Sequence, residues 1–179
     1  MSPTVTHRRA TTALCAPAAL IAVAALAAPH ASAAATPPSA VCTNTFTATI
    51  SPGFTPNPGS GKLTSNGQTG SIECFGTIEG ARVTGPGTLG FVERHKNGSC
   101  RGHVGTGRVH LVIPTTDGPA DMVGALSVRR TALTVRVKVR FPGVRYSGNG
   151  VIFPRLGDCT SSPIEQIKVT MTGTLREAR

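Results

Sequence analysis

The chain has 179 residues, with 18 Lys and Arg against 8 Asp and Glu, for a formal charge of +10. That length accommodates one domain, and 39% hydrophobic residues can build a core, whereas an aromatic content of 4% without Trp offers few rings for stacking nucleobases. Irregular glycine spacing excludes a collagen repeat, and the alternation of Val, Leu, Ile and Phe to the C-terminus argues against disorder.

Between Ala10 and Ala40 there is no Asp, Glu, Lys or Arg. Arg8 and Arg9 precede an apolar run from Ala16 to Ala28, and Ala31-Ser32-Ala33 follows it. A basic start, a run shorter than the roughly 20 residues of a membrane helix and a small-residue cleavage pattern describe a signal peptide over residues 1–33. The expected destination is outside the cell or in the cell wall, with no transmembrane anchor. Removing the leader takes Arg8, Arg9 and Cys15 with it, leaving a charge of +8 and four cysteines, Cys42, Cys74, Cys100 and Cys159. Four cysteines in an exported chain predict two disulfides.

Residues 34–41, AATPPSAV, read as a flexible linker, and residues 42–179 as a single all-β domain. In 43–50 four threonines alternate with Asn44, Phe46, Ala48 and Ile50, which predicts a strand with one apolar face. Further strands are expected near 61–67, 81–92, 101–113, 122–129, 134–141 and 144–153. A last one places Ile167, Val169, Met171 and Leu175 opposite Lys168, Thr170, Thr172 and Thr174. Segment 134–141 is the clearest: Arg136, Lys138 and Arg140 share one face, Val135, Val137, Val139 and Phe141 the other. Separators such as Lys96-Asn97-Gly98, Asp117-Gly118-Pro119 and Pro142-Gly143 supply turns. About eight strands with short connections predict an antiparallel up-and-down barrel, with a β-sandwich as the alternative.

Successive strands of a meander reverse direction, so each cysteine can be assigned to an end of the sheet. Cys42 and Cys74 fall at the end where the first strand begins, Cys100 and Cys159 at the other. Of three connectivities this selects Cys42 with Cys74 and Cys100 with Cys159.

The alanine-rich leader, the Thr-rich CTNTFTATISPGFT from Cys42, the cysteine-punctuated NGQTGSIECFG and NGSCRGHVGTG, and the closing IKVTMTGTL resemble exported β-rich actinobacterial proteins of unassigned activity. The resemblance spans most of the mature chain. It implies a β-rich exported domain and brings no catalytic residues with it.

The strongest chemical feature is a run of cations. Arg129 and Arg130 are expected at a hairpin link, followed by Arg136, Lys138 and Arg140 on one strand face and Arg145 at the start of the next, with no acidic residue from Val123 to Gly157. Same-face residues rise about 6.6 Å apart, suited to an extended polyanion. These six are the candidate anion-binding residues, for an anionic cell-wall polymer or other polyanion and not for sequence-specific nucleic acid. A solvated, aggregation-resistant sheet face is the bland alternative.

No catalytic residue, cofactor or metal ligand is assigned. Gly85-Pro86-Gly87-Thr88-Leu89-Gly90 has the spacing of a dinucleotide-binding turn but lies between strands. His103 and His110 are seven apart, on opposite faces of one strand, and His95, His103 and His110 are read as surface or sheet-end residues. Acid, base and nucleophile candidates do not cluster, although distant residues can assemble an enzyme of unrecognised type. Inward glycines at 85, 87, 105, 107, 148 and 150 raise a second reading, a cavity for a small apolar ligand.

Overall fold

A computed structural model describes residues 39–65 and 70–178. The expected leader, 1–33, and positions 34–38 of the expected linker lie outside them. Residues Ser39–Val41 of that linker already belong to the first strand, where Ala40 is fully buried.

The strands are β1 (Ser39–Phe54), β2 (Gly59–Thr64), β3 (Gly70–Ile78), the short β4 (Ala81–Arg82), β5 (Gly87–Ser99), β6 (Gly102–Thr115), β7 (Gly118–Thr131), β8 (Thr134–Arg140), β9 (Val144–Leu156) and β10 (Ile164–Glu177). Every pairing is antiparallel. From β5 to β10 each strand pairs with the next, β10 pairs with β1, and β1 returns to β5 through β2, so a single sheet closes as a ring of eight strands. β3 shares the gap between β1 and β5 with β2: β2 meets Thr49–Ser51 of β1, and β3 meets Ala40–Thr45 nearer its start.

Two strand assignments need correction. The expected strand at 81–92 is broken at Gly85-Pro86, where proline has no N–H for a ladder, and β5 starts beyond it. Segment 70–78, not expected as a strand, is one, because its Ile72, Cys74 and Ile78 alternate inward despite the glycines around them. At Lys96-Asn97-Gly98 the chain does not turn. Asn97 adopts φ +55° and the ladder shifts register, but β5 continues to Ser99.

The two-residue period fixes which side faces inward. In β8, Val135, Val137 and Val139 are buried and Arg136, Lys138 and Arg140 exposed. Each buried Val contributes about 1.5–3 kcal/mol, and a one-residue slip would both lose this and desolvate three cations at several kcal/mol each, so the register is heavily determined. The same rule places Leu126 and Val128 of β7, Leu111 and Ile113 of β6, and Val169, Met171 and Leu175 of β10 inside. An apolar interior inside a Thr- and Arg-bearing wall is the reverse of a membrane-spanning ring.

Cys42 stands directly opposite Cys74 on β1 and β3, with Cα atoms 4.0 Å apart, and is bonded to it. At the upper end, away from the start of β1, Cys100 of the β5–β6 turn is bonded to Cys159 of the β9–β10 loop. Asp158 shapes that loop. Its carboxylate accepts the backbone N–H groups of Ser161, Thr160 and Ser162 and the Ser161 hydroxyl, which holds it well below the usual carboxylate range.

The bridges close loops with sequence separations of 32 and 59 residues. Replacing Cys100 and Cys159 together by Ala is therefore expected to cost roughly 4 kcal/mol on a loop-closure account. Urea unfolding monitored by far-ultraviolet circular dichroism measures it, and an unchanged midpoint would contradict it.

Candidate functional site: a cationic outer wall and a buried polar plug

Along β6–β10 the outward positions bring together cations from separate stretches of sequence. Arg108 of β6 lies opposite Ala125 of β7, which lies opposite Arg140 of β8, then Arg145 of β9 and Arg176 of β10. Neighbouring strands are about 4.8 Å apart, so Arg140, Arg145 and Arg176 form a close row of like charges. Arg129 faces Arg136 on the adjoining pair, and Lys138 sits between Arg136 and Arg140. All seven of these cations are exposed. The Arg136 Nε donates to Asn149 Oδ1 at 3.2 Å. Among the described residues none of these cations lies within 4.0 Å of a carboxylate, since both ion pairs found there involve histidine. Like charges directly opposed across a ladder destabilise it.

Five of the six expected anion-binding residues thus share this wall: Arg129, Arg136, Lys138, Arg140 and Arg145. Arg130 does not. It belongs to β7, not to a link, and the hairpin turns at Ala132–Leu133 instead. Extending the alternation from Leu126 and Val128 points Arg130 inward, where it is 5% exposed. Arg108 and Arg176, distant in sequence from the cationic run, were not identified from it. Their membership follows from strand pairing alone. A smaller cationic group, Lys62 opposite Arg94 with Lys96 nearby, lies on β2 and β5.

Inside the upper end, Arg130 is the centre of a buried polar cluster. His103 of β6 lies opposite it in register, and Glu93 and His95 of β5 face inward beside them. The Arg130 Nε donates to His103 Nδ1 at 3.1 Å, and His103 Nε2 is 2.7 Å from Glu93 Oε1. Guanidinium can only donate, so Nδ1 must accept. His103 is therefore a neutral imidazole whose Nε2–H donates to the carboxylate. The remaining Arg130 donors reach the carbonyls of Ser99, Cys100 and Ala132, tying the β5–β6 and β7–β8 turns together. Ala132 has φ +50°, a conformation costly for a residue with a Cβ, and this contact helps to hold it. The guanidinium carbon lies 4.4 Å from the Phe54 ring centre, and His103 stacks on the same ring at 5.0 Å.

The cluster corrects the expectation that the histidines are surface groups. His95 and His103 are buried, while His110 is exposed and pairs with Asp121 at 2.6 Å. Both His103 nitrogens are engaged, Nδ1 by Arg130 and Nε2 by Glu93. The geometry is that of a neutralised plug. No grouping of three His, Cys, Asp or Glu suited to a metal is found among the described residues.

Glycine makes room for the buried polar side chains. A Cβ at Gly105 would collide with the Glu93 carboxylate, at Gly98 with the His95 ring, and at Gly148 or Gly173 with the Tyr146 hydroxyl. Tyr146 accepts a 2.7 Å bond from Asn44 Nδ2, and burial raises its hydroxyl to about 12 despite that bond. The inward glycines thus do not open the cavity expected of them. Gly87, Gly107 and Gly150 abut neighbouring backbone, while Gly85 faces open space. The interior space that remains, walled by Leu126, Val137, Val169 and Met171 with Asn44 and Glu93, is about 60 Å³. A benzene-sized guest occupies a cavity of roughly 150 Å³.

Comparison with known proteins finds no matching family model, no matching curated protein and no matching solved structure. No helix among the described residues is long and apolar enough to cross a membrane.

Gly105→Ala is expected to lower the melting temperature by several degrees, because either the Glu93 side chain or the backbone must move. Gly85→Ala, with nothing within 4 Å of the added carbon, is expected to leave it unchanged. Equal thermal shifts for both variants would remove the role assigned to Gly105.

Burial, assisted by the Arg130 cation, lowers the pKa of His95 below the usual imidazole value, partly opposed by Glu93. The unfolded chain therefore takes up the proton first on acidification. The stability held through His95 is complete above the unfolded pKa and is lost as pH falls below it. Melting curves from pH 8 to pH 5 should fall more steeply for the native protein than for His95→Gln. Parallel profiles would show that His95 carries none of the acid sensitivity.

Proposed function

We propose that the chain is an exported, non-enzymatic β-domain that holds anionic polymers or surfaces against the outer wall of β6–β10. The row Arg140, Arg145 and Arg176, with Arg129 facing Arg136, carries this reading. Cations aligned across strands without carboxylates repel one another in the free protein, and a bound polyanion relieves that repulsion. Along β8 the same-face spacing of about 6.6 Å suits successive charges of an extended chain. Among the described residues Phe153, near the upper end of β9, is the one exposed aromatic on these strands, away from the Arg140, Arg145 and Arg176 row, which favours recognition of charge over recognition of bases.

Export rests on the leader pattern over residues 1–33 and on two bonded cysteine pairs, which belong in an oxidising compartment. The resemblance to exported β-rich actinobacterial proteins supports the same placement and does not name a ligand.

The test is retention on immobilised polyphosphate in a sodium chloride gradient. Replacing Arg140, Arg145 and Arg176 by Ser should lower the eluting salt and reduce the logarithmic salt slope of binding by about 2. Replacing Lys62, Arg94 and Lys96 by Ser removes the same charge from β2 and β5 and should have the smaller effect. Equal losses from the two triple variants would reduce the wall to net charge alone.

A further inference from the structure

Above the cationic wall, the upper rim exposes an apolar group. Leu133 of the β7–β8 turn is 55% exposed, Phe153 of β9 51%, and Leu156 at the end of β9 56%, with Val151 on the same outer face as Phe153. Leu133 is joined to the Val151–Phe153 stretch, since the Ile152 N–H donates to the Leu133 carbonyl at 2.8 Å and Val151 lies opposite Thr134 of β8, while Leu156 follows three positions further along β9, opposite Gln166. Exposed cations frame them. Lys168 of β10 is opposite Phe153, Arg155 follows it by two positions on β9, and Arg136 lies one outward step below Thr134.

The other exposed aromatic, Phe75, sits at the opposite end of the ring beside Val41, and the charges around it are mixed. Glu73 and Glu79 of the β3 region are exposed there. Apolar side chains at both ends would serve equally well for unspecific adhesion, but around the lower pair Arg82 and Arg176 are matched by Glu73 and Glu79, whereas around the upper set Arg136, Arg155 and Lys168 outnumber Glu165 and Asp158.

We propose that this upper rim docks on an anionic lipid bilayer, with Leu133, Phe153 and Leu156 entering the headgroup boundary and Arg136, Arg155 and Lys168 against the lipid phosphates. This rests on the cationic-wall reading and specifies its surface. Shallow apolar insertion and electrostatic attraction to anionic lipid are the two components of interfacial binding, and neither is strong alone. The charge complementarity selects a lipid surface carrying net negative charge over a neutral one. The rigid ring presents the side chains at a turn and a strand end, where they can enter a surface without unfolding.

The experiment is co-sedimentation of the mature protein with vesicles of phosphatidylcholine alone and of equimolar phosphatidylcholine and phosphatidylglycerol, run beside the polyphosphate column. The native protein should pellet with the anionic vesicles and remain in solution with the neutral ones. Replacing Leu133, Phe153 and Leu156 by Ser should weaken that partition by about tenfold or more while column elution stays native. Phe75→Ser should change neither readout. Native-like pelleting of the triple variant would overturn the proposal in favour of charge alone. A native protein that is retained by the column but ignores anionic vesicles would overturn it while sparing the cationic-wall reading. Loss of column retention as well would remove both. A dimer in sedimentation velocity that the triple variant abolishes would assign the rim to a second copy and overturn the lipid surface.

Discussion

The pairing of β10 with β1 turns a curved sheet into an enclosed one, and every other property of the molecule inherits from it. An open sheet has two faces and can leave either one wet. Once the ring is shut, one side of each strand becomes interior by geometry, and the two-residue period then sorts each side chain without further choice. Along β8 seven residues give an aliphatic lining of Val135, Val137 and Val139 and an exterior of Thr134, Arg136, Lys138 and Arg140. Closure also removes the free sheet edges through which extended chains otherwise associate.

Sorting by period has a cost where the sequence puts a charge on the inner register. Arg130 continues the inward series of Leu126 and Val128, and desolvating it alone would be strongly unfavourable. The interior answers with a carboxylate, but through a neutral imidazole, so that charge and hydrogen-bonding capacity are balanced together. Glu93, His103 and Arg130 come from three consecutive strands, and their meeting point also holds the turns that seal the upper end. Polarity inside the ring thus serves closure of its end, while the exposed cations lie on the outer wall.

Much of this architecture was readable in the residues. The Thr-rich start, the Val and Arg alternation of 134–141 and the closing strand state their faces directly, and reversing strand directions place the cysteines in the two pairs that are bonded here. β3 escaped because its glycines dilute the alternation of Ile72, Cys74 and Ile78, and the β4–β5 break escaped because apolar residues continue on both sides of Pro86. The cationic wall was half legible. Arg136, Lys138 and Arg140 announce themselves within one strand, whereas Arg108 and Arg176 join only through register, which no local pattern encodes. Arg130 was misplaced for the opposite reason: its neighbour Arg129 suggested a polar link, although continuing the period by one step from Val128 points it inward. The role of Gly105 is visible only when Glu93 is seen against it, since a glycine in a strand ordinarily reads as a bend.

The strands that seal the ring are the first and the last, with Ser39 beside Arg176. Growing from the N-terminus, the polypeptide has no partner for this flank of β1 until β10 emerges from the ribosome. Premature sealing is thereby precluded, whatever local hairpins form earlier. The same delay makes the native state dependent on contacts across nearly the whole described length. Topology alone thus ties completion of the fold to the arrival of β10.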